Sequence, residues 1–340
     1  MTTSNDRPRD AAEGQAADFV PAWWCRSGHA QTIWAGILRP TPMVSVQRER
    51  WEIPDGDFLD VDYVPATPGR PVLIVLHGLE GSSDTKPVRG FLLAAQQRRW
   101  HGIGVNFRSC SGTGNRLRRS YHGGDTADLN FVVERVVGRY PGSPICCVAM
   151  SLGGNVLLKY LGEQAEHLPS AVKAAVAISA PFNLATSAHA FEVGPLNRVY
   201  MRRLLRSLKE KTRAKLVLYP DVIEPRRLDA LRTIAEFDEA ITAPMHGFAS
   251  AQSYWAASSC GPLLPLIHRP TLLINALDDP LVPADDLPRR DVAEHRFLSA
   301  LFPQGGGHTG FVSGPGPLHP IFWAEQRAIA FCAWHILDGP

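Results

Sequence analysis

The sequence predicts an α/β protein built on a mostly parallel central sheet, with helices on both faces and a helical insertion late in the chain. Three observations carry that prediction. Short continuous apolar runs recur at 71–76, 102–107, 145–148, 172–179, 271–277 and 297–302, as expected of strands covered on both faces. Helical stretches alternate with them at 86–97, 125–137, 155–160 and 321–336, the rhythm of strand–helix–strand crossovers. Between Pro181 and Pro270 that rhythm lapses, and three amphipathic stretches (198–213, 226–238 and 247–257) follow one another without a strand. Residues 19–340 therefore read as one domain with a helical cap inserted at about 182–265.

Taken in order, residues 1–18 are polar and form a tail, without the apolar core of a secretory signal. Residues 19–42 carry Trp23, Trp24 and Trp34 and make an arm that must pack on the body; His29-Ala30-Gln31-Thr32 within it reads as structural rather than as part of a site. Alternating segments at 44–53 and 58–64 flank Pro54-Asp55-Gly56-Asp57, a hairpin signal. Asp125 opens the helix at 125–137 as its cap, with Asp128 an acid three residues on that suits the helix dipole. Gly102-x-Gly104 and Gly112-x-Gly114 lack the remainder of a dinucleotide fingerprint and read as turns.

The chain has 340 residues, 45% hydrophobic and 20% charged, enough for a substantial core. Its 35 basic and 33 acidic residues leave a formal charge of +2, which gives nucleic acid no electrostatic reason to bind. The six cysteines show no zinc spacing, and Cys146-Cys147 lies on an apolar strand, which favours a reducing, cytoplasmic compartment. No apolar run is long enough to span a bilayer, leaving room only for transient lipid contact.

The chemistry centres on Ala149-Met150-Ser151-Leu152-Gly153-Gly154, which follows a strand and precedes a helix. A serine held on such a sharp turn is exposed at the sheet's edge and needs small neighbours; taken alone, Ser151 reads equally well as a helix cap. A hydroxyl becomes nucleophilic only beside a base, and the base needs an orienting acid. Asp279 leaves the strand at 271–276 just before Pro280, with Asp278 as its rival. His308 follows three glycines after the last strand and alone among the twelve histidines has the required order and position; His122, His246 and His268 read as surface or cap residues. The His77-Gly78-Leu79 turn, after the strand at 71–76, presents the Leu79 N–H, and Leu152 supplies a second N–H, as an oxyanion trap. An imidazole base titrating near 6.5 implies activity rising between about pH 6 and 7.5.

With these parts in place the chain resembles the YheT-like esterase/lipase group of the α/β-hydrolase superfamily (AB-hydrolase family 4). The resemblance runs from about Phe19 onward and rests on His29-x-Gln31-Thr32, Leu76-His77-Gly78-Leu79-Glu80-Gly81-Ser82-Ser83, Asn106-Phe107-Arg108-Ser109-Cys110-Ser111-Gly112 and Tyr121-His122-x-Gly124-x-Thr126-x-Asp128. It continues through Ser151-Leu152-Gly153-Gly154-Asn155, Pro181-Phe182-x-Leu184, Phe237-Asp238, Asn275-Ala276-x-Asp278-Asp279-Pro280 and Gly306-Gly307-His308-x-Gly310-Phe311. Ala149 and Ser109 stand where glycine is usual. The resemblance implies an α/β-hydrolase fold and a carboxylesterase or lipase-like serine hydrolase of lipid metabolism. Its substrates would be small-molecule short- to medium-chain acyl esters or glycerides, with Ser151 as nucleophile, Asp279 as acid, His308 as base, and no metal or organic cofactor. The alternatives are an alcohol O-acyltransferase sharing the acyl-enzyme, a non-catalytic binding protein on the same fold, and a peptidase.

Overall fold

The computed structural model describes residues 19–337; the predicted tail at 1–18 lies outside them. Eight strands form one sheet: β1 Gln47–Glu52, β2 Phe58–Val64, β3 Val72–Leu76, β4 His101–Val105, β5 Ile145–Met150, β6 Val172–Ile178, β7 Thr271–Ile274 and β8 Leu298–Leu301. Their order is β1-β2-β4-β3-β5-β6-β7-β8. The β1–β2 and β2–β4 pairs are antiparallel and all others parallel.

Successive residues of a strand face opposite sides, so β3 feeds two cores. Val72, Ile74 and Leu76 pack with Val132 and Val136 of the helix Ala127–Arg139 and with Leu157 and Leu161 of the helix Leu152–Gln164. Leu73 and Val75 pack on the opposite face with Phe91 and Leu92 of the helix Lys86–Gln97 and with Ala328 and Ile329 of the helix Trp323–Leu337. The latter helix begins two residues later than predicted because Ile321 and Phe322 pair with Val312 and Ser313 as a short hairpin.

Two local expectations need correcting. Gly102 and Gly104 are not turn residues but lie inside β4, where a side chain at either would press on Leu92 at 3.0 or 3.2 Å. Glycine here lets a helix approach the strand closely. Nor does Asp125 cap the helix Ala127–Arg139: Thr126 occupies the cap position without a side-chain bond, while Asp128 lies in the first turn as expected. Asp125 accepts from Arg119 (2.6 Å) and Asp128 from Arg108 (2.6 and 2.8 Å). A charge-assisted bond to a guanidinium outcompetes the helix end for the Asp125 carboxylate.

Between β6 and β7 come the helices Leu184–Ala190, Pro195–Leu216, Pro225–Ala230, Ile234–Phe237 and Ala251–Ser258. The single helix predicted at 226–238 is broken, because Leu231 takes an extended ψ of 138° and Thr233 restarts the helix by accepting the Glu236 N–H. The stretch predicted at 247–257 is helical only from Ala251, where Ser250 and Ser253 form a reciprocal capping box.

Candidate active site

Strand β5 is buried throughout and delivers Ser151 directly to the helix Leu152–Gln164. Ser151 has φ 53° and ψ −128°, a conformation that costs an L-residue energy and persists only where packing enforces it. Close neighbours supply that enforcement. A Cβ on Gly153 would collide with the His77 carbonyl, and one on Gly154 would lie 2.8 Å from the Ala180 methyl. Ala149, where a methyl replaces the usual hydrogen, sits fully buried in register with Leu76 and Ala177. Its side chain therefore joins the sheet core instead of pressing on the turn.

Loops at the ends of β7 and β8 bring the partners. The His308 Nε2 lies 2.8 Å from Ser151 Oγ, and its Nδ1 lies 2.9 and 3.1 Å from the two Asp279 oxygens. Asp279 Oδ1 also accepts the N–H groups of Leu281 (2.8 Å) and Val282 (3.1 Å), which fix the carboxylate. Asp278 faces elsewhere: its Oδ1 accepts the Gly307 N–H (2.8 Å) and so ties down the loop that carries His308. Burial raises the Asp278 carboxyl above its ordinary value, with the neighbouring Asp279 charge acting in the same direction.

The glycines before His308 have separate reasons. Gly306 (φ 142°) and Gly307 (φ 60°) adopt left-handed backbone. A side chain at Gly306 would also strike Phe311 (2.6 Å), and one at Gly307 would meet the carbonyl of Gly28 in the N-terminal arm. That arm does more than the sequence suggests. Thr32 Oγ1 accepts the His308 N–H (2.9 Å), and the buried Gln31 amide donates to Val312 O (2.9 Å) while accepting the Val312 N–H (2.5 Å). The arm thus clasps the His308 loop. Only a pairing between residues nearly 300 positions apart in sequence reveals this.

Leu79 and Leu152 both line the cavity above Ser151. Among the described residues neither of their N–H groups donates to a protein acceptor. A Cβ on Gly78 would lie 2.8 Å from Ser151 Cβ and 3.3 Å from its Oγ, so this turn runs directly against the serine. His77 holds the turn: one ring nitrogen donates to Gly78 O (2.7 Å) and the other accepts the Phe107 N–H (3.1 Å). Burial pushes its imidazole down to about 4, so it stays neutral and keeps both bonds. Asn155, whose role local sequence does not announce, ties the serine's helix to the insertion. Its amide donates to Gly123 O (2.7 Å) and Ser258 O (2.8 Å) and accepts the Cys260 N–H (2.9 Å). Ser109 has φ 63°, which explains the usual glycine; its hydroxyl accepts the Asn115 N–H (3.0 Å) and stabilises the left-handed turn.

The cavity is bounded by the loops at the carboxyl ends of the strands on one side and by the insertion on the other, including Leu184, Phe191, Phe237, Ile241 and Trp255. His122 and His246, expected at the surface or in the cap, line it as well; His268 lies outside it, beside Glu166 (3.7 Å). Asp238 also faces the cavity and accepts from the Trp255 indole (2.9 Å) and the Thr242 hydroxyl (2.7 Å). Burial raises its carboxyl to about 6 against the opposing pull of these two donors. The folded protein thus keeps a proton that the unfolded chain releases near its ordinary value of about 3.9. Stability should therefore fall as pH rises from about 4 to about 6 and stay at the lower level above that range. Asp238→Asn is expected to flatten this part of a Tm–pH profile measured by calorimetry. An unaltered slope would remove Asp238 as its source.

Comparison with known proteins agrees with this architecture. The alpha/beta hydrolase fold family matches residues 71–315. The Escherichia coli (strain K12) protein YheT, which carries an esterase designation, is 38% identical over 324 residues, covering 94% of each chain. A monoacylglycerol lipase of Saccharomyces cerevisiae is 30% identical over 250 residues, covering 71% of this chain and 55% of that one. The Pyrococcus furiosus esterase Pf2001 superposes with a TM-score of 0.51 at 16% identity, over 78% of this chain and 82% of that one, a likeness of fold alone. With the family's fold matched over most of the sequence and YheT matched over 94% of each chain, the chain belongs to the YheT-like esterase/lipase group of the α/β hydrolases.

Proposed function

We propose that the protein is a serine hydrolase that cleaves carboxylic esters through an acyl-enzyme. The observation that carries this reading is the continuous chain from Ser151 Oγ to His308 Nε2 (2.8 Å) and from His308 Nδ1 to Asp279 (2.9 Å). As Ser151 attacks the ester carbonyl, His308 takes the hydroxyl proton, and Asp279 holds the imidazolium in orientation. The N–H groups of Leu79 and Leu152 receive the developing oxyanion, a contribution worth roughly 100- to 1000-fold in rate per donor. His308 then protonates the leaving alcohol, and a water molecule activated by the same imidazole releases the acid and restores Ser151. The apolar wall contributed by the insertion, read as a cap, favours short- to medium-chain acyl groups, and the name of the yeast relative supports glycerides. The six cysteines, all unpaired and buried, favour a reducing, cytoplasmic setting.

A fluorophosphonate probe should label the wild type but not Ser151→Ala, and Ser151→Ala should lose hydrolysis of a nitrophenyl ester series by at least about 10⁴-fold. Equal labelling of both proteins would overturn the reading.

A further inference from the structure

His122 and His246 meet in the cavity with ring centroids 4.3 Å apart. They come from different parts of the fold: His122 precedes the helix Ala127–Arg139, and His246 belongs to the insertion. Phe248 and Tyr254 pack edge-on against the His122 ring, at 5.9 and 5.6 Å, and hold it in place. Nothing in the ester-cleaving chemistry employs either imidazole.

The bonding of the pair is incomplete in a specific way. His122 Nδ1 accepts the Gly124 N–H (3.1 Å), so a neutral ring carries its proton on Nε2. Among the described residues that Nε2–H has no protein acceptor, and neither nitrogen of His246 has a protein partner. Burial lowers both rings, His122 to about 4 with help from Arg119 and Lys159, and His246 to about 3 with help from His122, Arg119, Arg108 and Lys215. Both are neutral at pH 7. A neutral imidazole offers one donor and one acceptor. With one acceptor already used, the pair presents two donors and one acceptor to the cavity.

A hydroxyl group accepts two hydrogen bonds and donates one, the full complement of that set. A carbonyl would leave the His246 lone pair unfilled, and a phosphate would meet no unpaired cation on the cavity wall, since Arg108 is already bound by Asp55, Asp57 and Asp128 and Lys211 by Glu80 (3.0 Å). The pair shares its cavity with Ser151 and His308. We propose that His122 and His246 form a hydroxyl-binding subsite, so that the preferred substrate is an ester bearing a free hydroxyl, of the partial-glyceride class. This rests on the ester-hydrolase reading of Ser151 and narrows its substrate.

The test is binding, which requires no turnover. The affinities of 1-O-hexylglycerol and of hexyl propyl ether, the same skeleton without its two hydroxyls, are measured by calorimetry for wild type, His122→Phe, His246→Phe and His246→Gln. The wild type should bind the diol about tenfold more tightly, as one or two net hydrogen bonds imply. Each Phe variant should lose that preference while binding the plain ether at least as well, which also shows that the cavity has stayed folded. His246→Gln, which keeps a donor and an acceptor, should retain most of the preference. A wild type that binds neither ligand or does not discriminate, Phe variants that discriminate equally, or tighter binding of hexyl phosphate than of the diol would each overturn the proposal. Fluorophosphonate labelling of the same wild-type sample reports separately on Ser151, so loss of the subsite and loss of the hydrolase reading give different results.

Discussion

Asp279→Asn should lower kcat on a nitrophenyl ester by about 10⁴-fold, whereas Asp278→Asn should lower it less than about tenfold. The two residues are adjacent, yet only Asp279 reaches the His308 Nδ1, and two backbone N–H groups hold its carboxylate still. An amide in that place supplies no charge for the imidazolium and can present an N–H to Nδ1, which favours the wrong tautomer. At Asp278 the bond at stake is the one accepted from Gly307. An Asn oxygen can still accept it, so the loop keeps its place. Similar losses for both variants would mean that the acid role is shared.

The second large effect concerns stability. Arg108 is buried and faces three carboxylates: Asp55 (2.8 Å), Asp57 (3.1 Å) and Asp128 (2.6 Å). Arg108→Met should destabilise the fold by about 3–5 kcal/mol, the usual consequence of stripping one partner from a buried ion network. Arg108→Met combined with Asp128→Leu should recover part of the loss, because one of the three stranded carboxylates goes too. Denaturant unfolding of the three proteins provides the check, and a double variant no better than the single one would assign the loss to packing instead. Within this network, burial alone would raise the Asp57 carboxyl. Hydrogen bonds from Asn115 and from the N–H groups of Arg116, Phe58 and Leu117 nevertheless hold it below its ordinary value. Its contribution to stability is therefore complete above about pH 4 and is lost as pH falls through the depressed value.

Residues whose role is set by their neighbours along the chain are legible in the sequence alone. The apolar strands and the small residues around Ser151 declare themselves locally, and so does the glycine run before His308. The acid narrows only to a pair, because choosing between Asp278 and Asp279 depends on which way a loop turns. Asp125 misleads: an acidic residue at a helix start looks like a cap, and its position does not announce that Arg119 claims it. His122 and His246 lie more than 100 residues apart, and only the seating of the insertion over the sheet makes them neighbours. Glycine spacing at Gly102 and Gly104 suggests turns, since sequence does not show a helix pressing on a strand.

The clasp between the N-terminal arm and the His308 loop bears on how the protein is made. Synthesis delivers Ser151 ahead of His308 by 157 residues, and the Thr32 bond to His308 (2.9 Å) must wait for that later loop. A nascent chain on the ribosome would carry Ser151 without its hydrogen-bond partner until the arm could close over the His308 loop, made 276 residues after Thr32.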